Sequence, residues 1–197
     1  MKSILKLVLS LGLVCAIGSF ALSRVYTTTK RPIEEAAANE LMSSLKLVLP
    51  PETATTEQID DTIFFKALDD SGNQIAYAAK AIGKGGFGGD VTVLVGLDMN
   101  GKILAVMVTD NSETPGIGSK ATDRKVRRSL WEVLSGKSQD AAFPPNEYLD
   151  SYAGRDVTDG FAFGKDGLNA ISGATYSSTA ILNGINTVSQ AFRELEK

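Results

Sequence analysis

The sequence contains no histidine, and its single cysteine, Cys15, lies inside an apolar run near the N-terminus. Without histidine, the chain lacks the commonest acid–base group at neutral pH and the commonest metal ligand. A single cysteine excludes an internal disulfide, a thiolate zinc site and ligation of an iron–sulfur cluster by this chain. Any redox chemistry of this protein must therefore come from a bound organic cofactor.

The sequence also lacks an excess of basic residues. Its formal net charge is -3 and its isoelectric point is about 5.1. A nucleic-acid partner, which requires a basic face, is therefore not expected. The length of 197 residues suffices for one domain with a stable core and an additional segment.

The additional segment is an uncharged apolar run at residues 7–23. With the apolar residues just before it, the run reaches the roughly 20 residues that a membrane-spanning helix needs. The alternative is a signal peptide with Lys2 and Lys6 as its basic region, but the apolar stretch of a signal peptide usually has only about 7–15 residues. We therefore predict a single-pass anchor with a short N-terminal tail at residues 1–24, and a domain at residues 25–197.

Basic residues flank the apolar run on both sides: Lys2 and Lys6 precede it, and Arg24, Lys30 and Arg31 follow it. The numbers of basic residues on the two sides of the run, which the positive-inside rule compares, are therefore nearly equal. Because the tail is only a few residues and the remainder is a whole domain, we expect the domain to be exported. The protein would then lie in the cell (inner, cytoplasmic) membrane with its domain on the extracytoplasmic side.

Apolar periodicity beyond the anchor predicts an α+β domain with an antiparallel sheet and flanking helices. No repeating strand–helix alternation of a doubly wound nucleotide-binding fold is present. The predicted helices lie at residues 32–46, at 122–135 and from 179 to the C-terminus. The predicted strands lie at residues 62–68, 74–82, 91–97 and 103–109, with a hairpin turn at 100–101 and a short strand at 161–163.

Two loops beside these strands have unusual compositions. Residues 83–89 are glycine at every position except Lys84 and Phe87. Such a stretch indicates either a flexible turn or a close backbone approach to a ligand, and alone it favours the turn. It is not a phosphate loop, because no Gly-Lys-Ser/Thr follows and the next predicted element is a strand. The second loop, residues 110–118, contains proline and glycines and by itself predicts only a turn.

A hydroxyl-rich stretch at residues 172–179 precedes the last predicted helix. One interpretation is helix capping by residues 177–179, since serine and threonine are favoured caps. The other is an anion site, because the first amides and the dipole of a helix favour a phosphate there. A hydroxyl on that site, such as that of Thr175, could be joined to the phosphate as an ester. No histidine, cysteine or clear base stands in the stretch to activate it, so a separate transferase would be needed.

Residues 172–175, Ser-Gly-Ala-Thr, match the S/T-G-A-T signature of the FMN-binding domain family. In that family the threonine of the signature is joined to FMN by a phosphoester bond. Residues 113–118, Glu-Thr-Pro-Gly-Ile-Gly, resemble the second signature of the family, a loop near the flavin. The glycine-rich residues 85–89 also fit, and the resemblance covers nearly the whole chain.

The resemblance implies covalent FMN on Thr175. The other implied site residues shape the phosphate seat (Ser172, Gly173, Ala174) or border the flavin ring (Glu113, Thr114, Ile117, Gly118).

Two positions depart from the family pattern. Asn169 stands where the transferase signature usually has aspartate, with Asp166 three residues further back, and Asn111 stands where relatives often have histidine.

Two kinds of protein share this plan: the G subunit of the Rnf electron-transport complex and the C subunit of the sodium-pumping NADH:quinone reductase. This short chain resembles the Rnf protein more closely. The resemblance implies an electron-carrying flavoprotein subunit of an ion-translocating ferredoxin:NAD oxidoreductase, which is not catalytic alone. Its partners would be the other membrane subunits and a separate flavin transferase. Two alternatives stay open: a stand-alone anchored FMN protein, and a non-redox binding module in which residues 172–179 only cap a helix.

Overall fold

The first helix of the chain, α1, spans Lys2–Val48 in the computed structural model, which describes residues 2–59, 63–124 and 144–195. Internal contacts divide the chain into two units, Met1–Met42 and Ser43–Lys197. An 18-residue window within Lys6–Val48 has a mean hydropathy of 1.9 and no buried residues. By length and composition α1 is therefore able to cross a membrane. The boundary at residue 24 and the export of the domain stay predictions.

The expectation of two separate helices in this region is wrong, because α1 is continuous and contains Pro32. Proline removes one backbone donor from a helix. In the turns before it, the hydroxyls of Thr27, Thr28 and Thr29 donate to carbonyls three or four residues earlier, at 2.8–3.1 Å. The ion pair between Lys30 and Glu34 spans the proline at 3.8 Å. The helix is thus continuous through Pro32, with these side-chain contacts on either side of it.

Five strands in the described part of the chain form one antiparallel sheet in chain order, which confirms the predicted α+β class. They are β1 (Thr55–Gln58), β2 (Phe64–Leu68), β3 (Gln74–Gly83), β4 (Val91–Asp98) and β5 (Ile103–Asp110). The sequence did not predict β1, because its four residues are polar and lack alternation. Strand β1 pairs only with β2 at the edge of the sheet. The predicted hairpin turn is confirmed: Gly101 has φ +79° and its N–H donates to Asp98 O at 3.2 Å.

The core lies between the sheet and the last helix, α4 (Thr175–Leu195). Alternate residues of β4 point toward α4, and Val93 is fully buried there. Two glycines allow the close approach. A Cβ atom on Gly83 would lie 1.9 Å from Ala180 O, and one on Gly184 would lie 2.6 Å from Val93 Cγ2. Because α4 begins five residues before Ala180, this contact fixes where the helix starts relative to the sheet.

The opposite face of β4 is also buried. A Cβ atom on Gly96 would lie 2.0 Å from the carbonyl oxygen of Val48, at the end of α1. Leu45, Val48 and Leu49 are buried as well. The central strand is therefore covered on both faces, which is why it is apolar at nearly every position.

Among the described residues between β5 and α4 are two short helices, α2 (Ser119–Thr122) and α3 (Glu147–Asp150), and a 3-10 turn at Val157–Asp159. The predicted helix at residues 122–135 does not begin as expected, because α2 ends at Thr122 and Asp123 is extended. Its remaining residues from 125 onward lie outside the described residues.

The predicted strand at residues 161–163 is wrong. Phe161 donates its N–H to Asn186 Oδ1 at 2.8 Å and accepts from Asn186 Nδ2 at 2.9 Å. The side chain of Asn186 in α4 thus satisfies the backbone groups that a strand partner would have taken.

A Gly83→Ala substitution is expected to lower the free energy of unfolding by about 3 kcal/mol, because the new methyl group meets the backbone of α4 rather than a flexible side chain. Thermal unfolding of the full chain in detergent, followed by circular dichroism, measures the change. Gly18→Ala is the matched control, since a Cβ atom there has no neighbour within 4 Å. Equal melting temperatures for the two variants would contradict the close packing of α4 on β3.

Candidate functional site

The carboxylate of Glu113 joins three segments that are far apart in the sequence. Glu113 follows β5 and is only 8% exposed. The hydroxyl of Ser177, in the first turn of α4, donates to Glu113 Oε2 at 2.7 Å. The N–H of Gly88, in the glycine-rich loop, donates to Glu113 Oε1 at 3.3 Å. The glycine-rich loop, the loop of residues 113–118 and the hydroxyl-rich stretch therefore meet at one side chain.

Glycines around this carboxylate leave no room for side chains. A Cβ atom on Gly86 would lie 2.4 Å from Glu113 Oε1, and one on Gly118 would lie 2.6 Å from Glu113 Oε2. A Cβ atom on Gly88 would lie 1.9 Å from Ser112 O. The backbone of the glycine-rich loop thus approaches the Glu113 side chain and the Ser112 backbone closely.

The loop of residues 113–118 turns back on itself. The carbonyl oxygen of Thr114 accepts the N–H of Ile117 at 3.2 Å and that of Gly118 at 3.0 Å. Gly116 has φ +85°, a value that favours glycine, and its N–H donates to Ser119 Oγ at 2.7 Å. The turn leaves the side chains of Thr114 and Ile117 exposed while Glu113 points inward.

Thr175 is the first residue of α4, and its side chain is exposed. Gly173 before it has φ +81°, and the space around its Cβ position is open. Ala174 is buried, and its carbonyl oxygen accepts the N–H of Ser178 at 2.9 Å. Ser172 is exposed like Thr175. The signature stretch is therefore a tight entry into the helix that presents one hydroxyl at the first helical position.

The expectation that residues 177–179 cap the helix is wrong, because they lie inside it. Ser177 donates to Glu113, and Ser178 Oγ accepts the N–H of Ile171 at 3.1 Å. Thr179 donates to the carbonyl oxygen of Thr175 at 2.8 Å. Two of these hydroxyls hold neighbouring loops against the helix, and the third bonds back into it.

Two aromatic side chains that the sequence reasoning did not select stand beside the signature. Phe87 is 73% exposed and Tyr176 is 67% exposed, and their ring centroids are 6.4 Å apart. Each comes from one of the segments that Glu113 joins. Large exposed rings next to an exposed hydroxyl make a surface that suits an aromatic ligand. The only sequence signal was an aromatic residue inside a glycine-rich loop.

Comparison with protein families finds a match to the FMN-binding domain over residues 86–190. The matched range contains the three residues that meet at this site, Gly88, Glu113 and Ser177. The chain belongs to the FMN-binding domain family.

Curated relatives cover most of this FMN-binding domain protein. The G subunit of the ion-translocating oxidoreductase complex of Photorhabdus laumondii is 30% identical over 66% of this chain and 68% of the relative. That of Haemophilus influenzae strain PittEE is 29% identical over 88% and 82%. The G subunit of the Na(+)-translocating ferredoxin:NAD(+) oxidoreductase complex of Acetobacterium woodii is 26% identical over 100% and 95%. Among solved structures, NqrC of Shewanella oneidensis is 22% identical over 69% of this chain and 63% of that chain, with a TM-score of 0.43.

A pair of buried tyrosines fixes the first turn of α4 from another side of the FMN-binding domain. The hydroxyl of Tyr148 in α3 donates to the carbonyl oxygen of Ser178 at 2.8 Å and lies 2.8 Å from the hydroxyl of Tyr152. Burial raises the pKa of Tyr148 to about 12, and burial also raises the pKa of Tyr152. Both hydroxyls therefore stay protonated and keep their hydrogen bonds at neutral pH.

Asn169 stands where the family usually has aspartate. It lines a groove of about 620 Å³ close to residues 172–175. Its Nδ2 donates to the carbonyl oxygen of Gly167 at 3.2 Å. Lys120 and Glu147 line the same groove from α2 and α3. The other departing residue, Asn111, accepts the N–H of Glu113 at 3.1 Å and so supports the loop.

A Tyr148→Phe substitution is expected to lower the free energy of unfolding by about 1 kcal/mol at pH 7, because it removes a buried hydrogen bond to α4.

The wild-type protein should also lose stability as pH rises from 10 toward 12. In that range the tyrosine of the unfolded chain ionises while the folded one holds its proton. The Tyr148→Phe variant should lose less over this range. Urea unfolding at pH 7 to 12 measures both effects, and Tyr176→Phe is the exposed control. Parallel pH curves for the wild type and Tyr148→Phe would contradict the assignment.

Proposed function

We propose that this protein is the FMN-carrying electron-transfer subunit of a membrane-bound, Rnf-type ion-translocating ferredoxin:NAD oxidoreductase, with FMN joined through a phosphoester to Thr175. The observation that carries the proposal is the exposed Thr175 hydroxyl at the start of α4, with the two other family segments tied beside it by Glu113. Relatives named as the G subunits of such complexes, similar over most of this chain, support it.

The residues around Thr175 fit a phosphate ester of FMN. The first amides of a helix have no carbonyl partner within the helix, so they are available to a phosphate oxygen. The open space at Gly173 and the exposed Ser172 leave the entry to α4 accessible. A phosphomonoester carries about −1.5 to −2 charges near neutral pH, whereas the diester at Thr175 would carry a single charge and could not dissociate.

Attachment requires an activated donor and a second protein. The new bond joins Thr175 Oγ1 to the phosphorus of FMN, and the hydroxyl proton leaves to a base. Since the signature contains no histidine or cysteine, the transferase supplies that base. A flavin adenine dinucleotide is the chemical class of donor: its pyrophosphate P–O bond breaks, the flavin phosphate stays on the threonine, and AMP leaves. The oxidation state of the flavin does not change.

Bound flavin supplies redox chemistry by accepting two electrons and passing them on singly. The chain's own residues bind the flavin, cover part of it and tune its potential. Ile117 and Thr114 border the ring, as the family signature implies, and the exposed rings of Phe87 and Tyr176 extend that border. Glu113, whose carboxylate is buried against Ser177 and Gly88, supports these residues from the protein interior.

The proposed location follows from α1. The helix crosses the cell membrane once, and the FMN-binding domain lies on the extracytoplasmic side, where a covalent bond prevents loss of the cofactor. Integral-membrane subunits of the complex are the partners. The alternatives keep the cofactor and change the partners: a stand-alone anchored electron-transfer protein, or a C-type subunit of the sodium-pumping NADH:quinone reductase.

A Thr175→Ala substitution is expected to abolish covalent flavin, because it removes the oxygen that forms the ester. The full chain is expressed with a flavin transferase and examined for flavin fluorescence in a denaturing gel and by intact mass. Thr179→Ala is the matched control, since its hydroxyl lies one turn further along α4 and donates to the Thr175 carbonyl. Fluorescence retained by Thr175→Ala, or lost equally by Thr179→Ala, would contradict attachment at Thr175.

The full chain, purified under mild detergent from its native membranes, is expected to bring integral-membrane subunits with it. Mass spectrometry identifies them. The control is a sample purified in a harsher detergent that dissociates the complex. A flavin-loaded chain that purifies alone from intact membranes would favour the stand-alone alternative. Partners that form a quinone reductase would favour the C-type alternative.

A further inference from the structure

We propose that Glu113 is a positioning residue that acts through Ser177 to orient the Thr175 hydroxyl outward for flavin attachment. The inference rests on the proposed attachment at Thr175 and adds the device that presents this hydroxyl. It assigns Glu113 a role inside the protein instead of a contact with the flavin ring.

Helix geometry links the two hydroxyls. Successive residues of an α-helix are about 100° apart around its axis, so Thr175 and Ser177 point in directions about 200° apart. Ser177 is 1% exposed and donates to Glu113 at 2.7 Å, whereas Thr175 is exposed. Holding Ser177 inward therefore turns Thr175 outward, and rotation of this turn would bury the hydroxyl that must react.

The first turn of α4 needs such a restraint. The N-terminal turn of a helix has unsatisfied amides and frays readily. The segment before it contains Gly173 with φ +81° and the exposed Ser172. The contact between Gly83 and Ala180 lies more than one turn after Thr175. The Glu113 carboxylate therefore holds the first turn on the side that faces the glycine-rich loop.

A carboxylate suits this position better than an amide. Both of its partners, the Ser177 hydroxyl and the Gly88 N–H, donate to it, one to each oxygen. A glutamine has only one acceptor oxygen. Its amide nitrogen would face either the Ser177 hydroxyl, which would then have to accept a hydrogen bond, or the Gly88 N–H, which is itself a donor. Hydrogen bonds to an ionised group are also stronger than neutral ones. Gly86 and Gly118 let the backbone lie against the two oxygens of Glu113, where a Cβ atom would be only 2.4 Å and 2.6 Å away.

The test uses the full chain in detergent with a purified flavin transferase and flavin adenine dinucleotide, at a temperature at which every variant is folded by circular dichroism. The variants are Glu113→Gln, Glu113→Ala, Ser177→Ala and the double Glu113→Ala/Ser177→Ala. Asp90→Asn is the matched control, because it removes an exposed carboxylate that directly follows the same glycine-rich loop. The readouts are the initial rate of covalent labelling and, in the unmodified protein, amide hydrogen exchange over residues 172–178.

Glu113→Ala and Ser177→Ala are each expected to slow labelling by about tenfold or more. The double variant should be no slower than the slower single variant, because both changes remove the same link. Glu113→Gln should lie between Glu113→Ala and the wild type. Hydrogen exchange over residues 172–178 should be faster in all of these variants and unchanged in Asp90→Asn.

Wild-type labelling rates in folded Glu113→Ala would overturn the inference and show that the transferase reads the local sequence alone. Additive effects in the double variant, or unchanged hydrogen exchange in the unmodified protein, would also overturn it. Labelling of the wild type at a residue other than Thr175 would instead overturn the proposed attachment. The exchange result still decides whether Glu113 holds the first turn of α4.

Discussion

The site depends on how closely the last helix lies on the sheet. Gly83 and Gly184 bring backbone against backbone, with Ala180 of α4 over the end of β3 and Val93 of β4 beneath Gly184. At such a distance the helix cannot slide or rotate without steric clash. The position of its first residue along the sheet is therefore set by close packing in the core.

Hydrogen bonds add to this packing at the start of α4. Glu113 ties the start of α4 to two loops, and the tyrosine pair of α3 holds the next carbonyl. The inward side of the first turn is thus occupied by hydrogen bonds between protein groups. The outward side presents Thr175, Phe87 and Tyr176. This division leaves one short turn packed toward the core and exposed on the side where flavin attachment is proposed.

The features that the sequence predicted are local ones. The turn at residues 100–101 and the apolar β4 depend on neighbours in the chain, and Thr175 was selected through a contiguous signature. The bond between Glu113 and Ser177 joins residues 64 positions apart, and no pattern within either segment indicates it. For the same reason Ser177 was expected to be a cap. Pro32 is expected to begin a helix because proline favours the first helical position, whereas the structure places it inside the continuous helix α1.

The range matched by the family, residues 86–190, begins between β3 and β4. Strand β4 is covered on one face by α4, which lies mostly within that range, and on the other by the end of α1, which lies outside it. Its neighbour β3 also lies outside. A fragment cut at residues 86 and 190 would expose an unpaired apolar strand edge of the kind that promotes aggregation. The domain is therefore longer than the range that the family model matches, and the residues before that range complete its core.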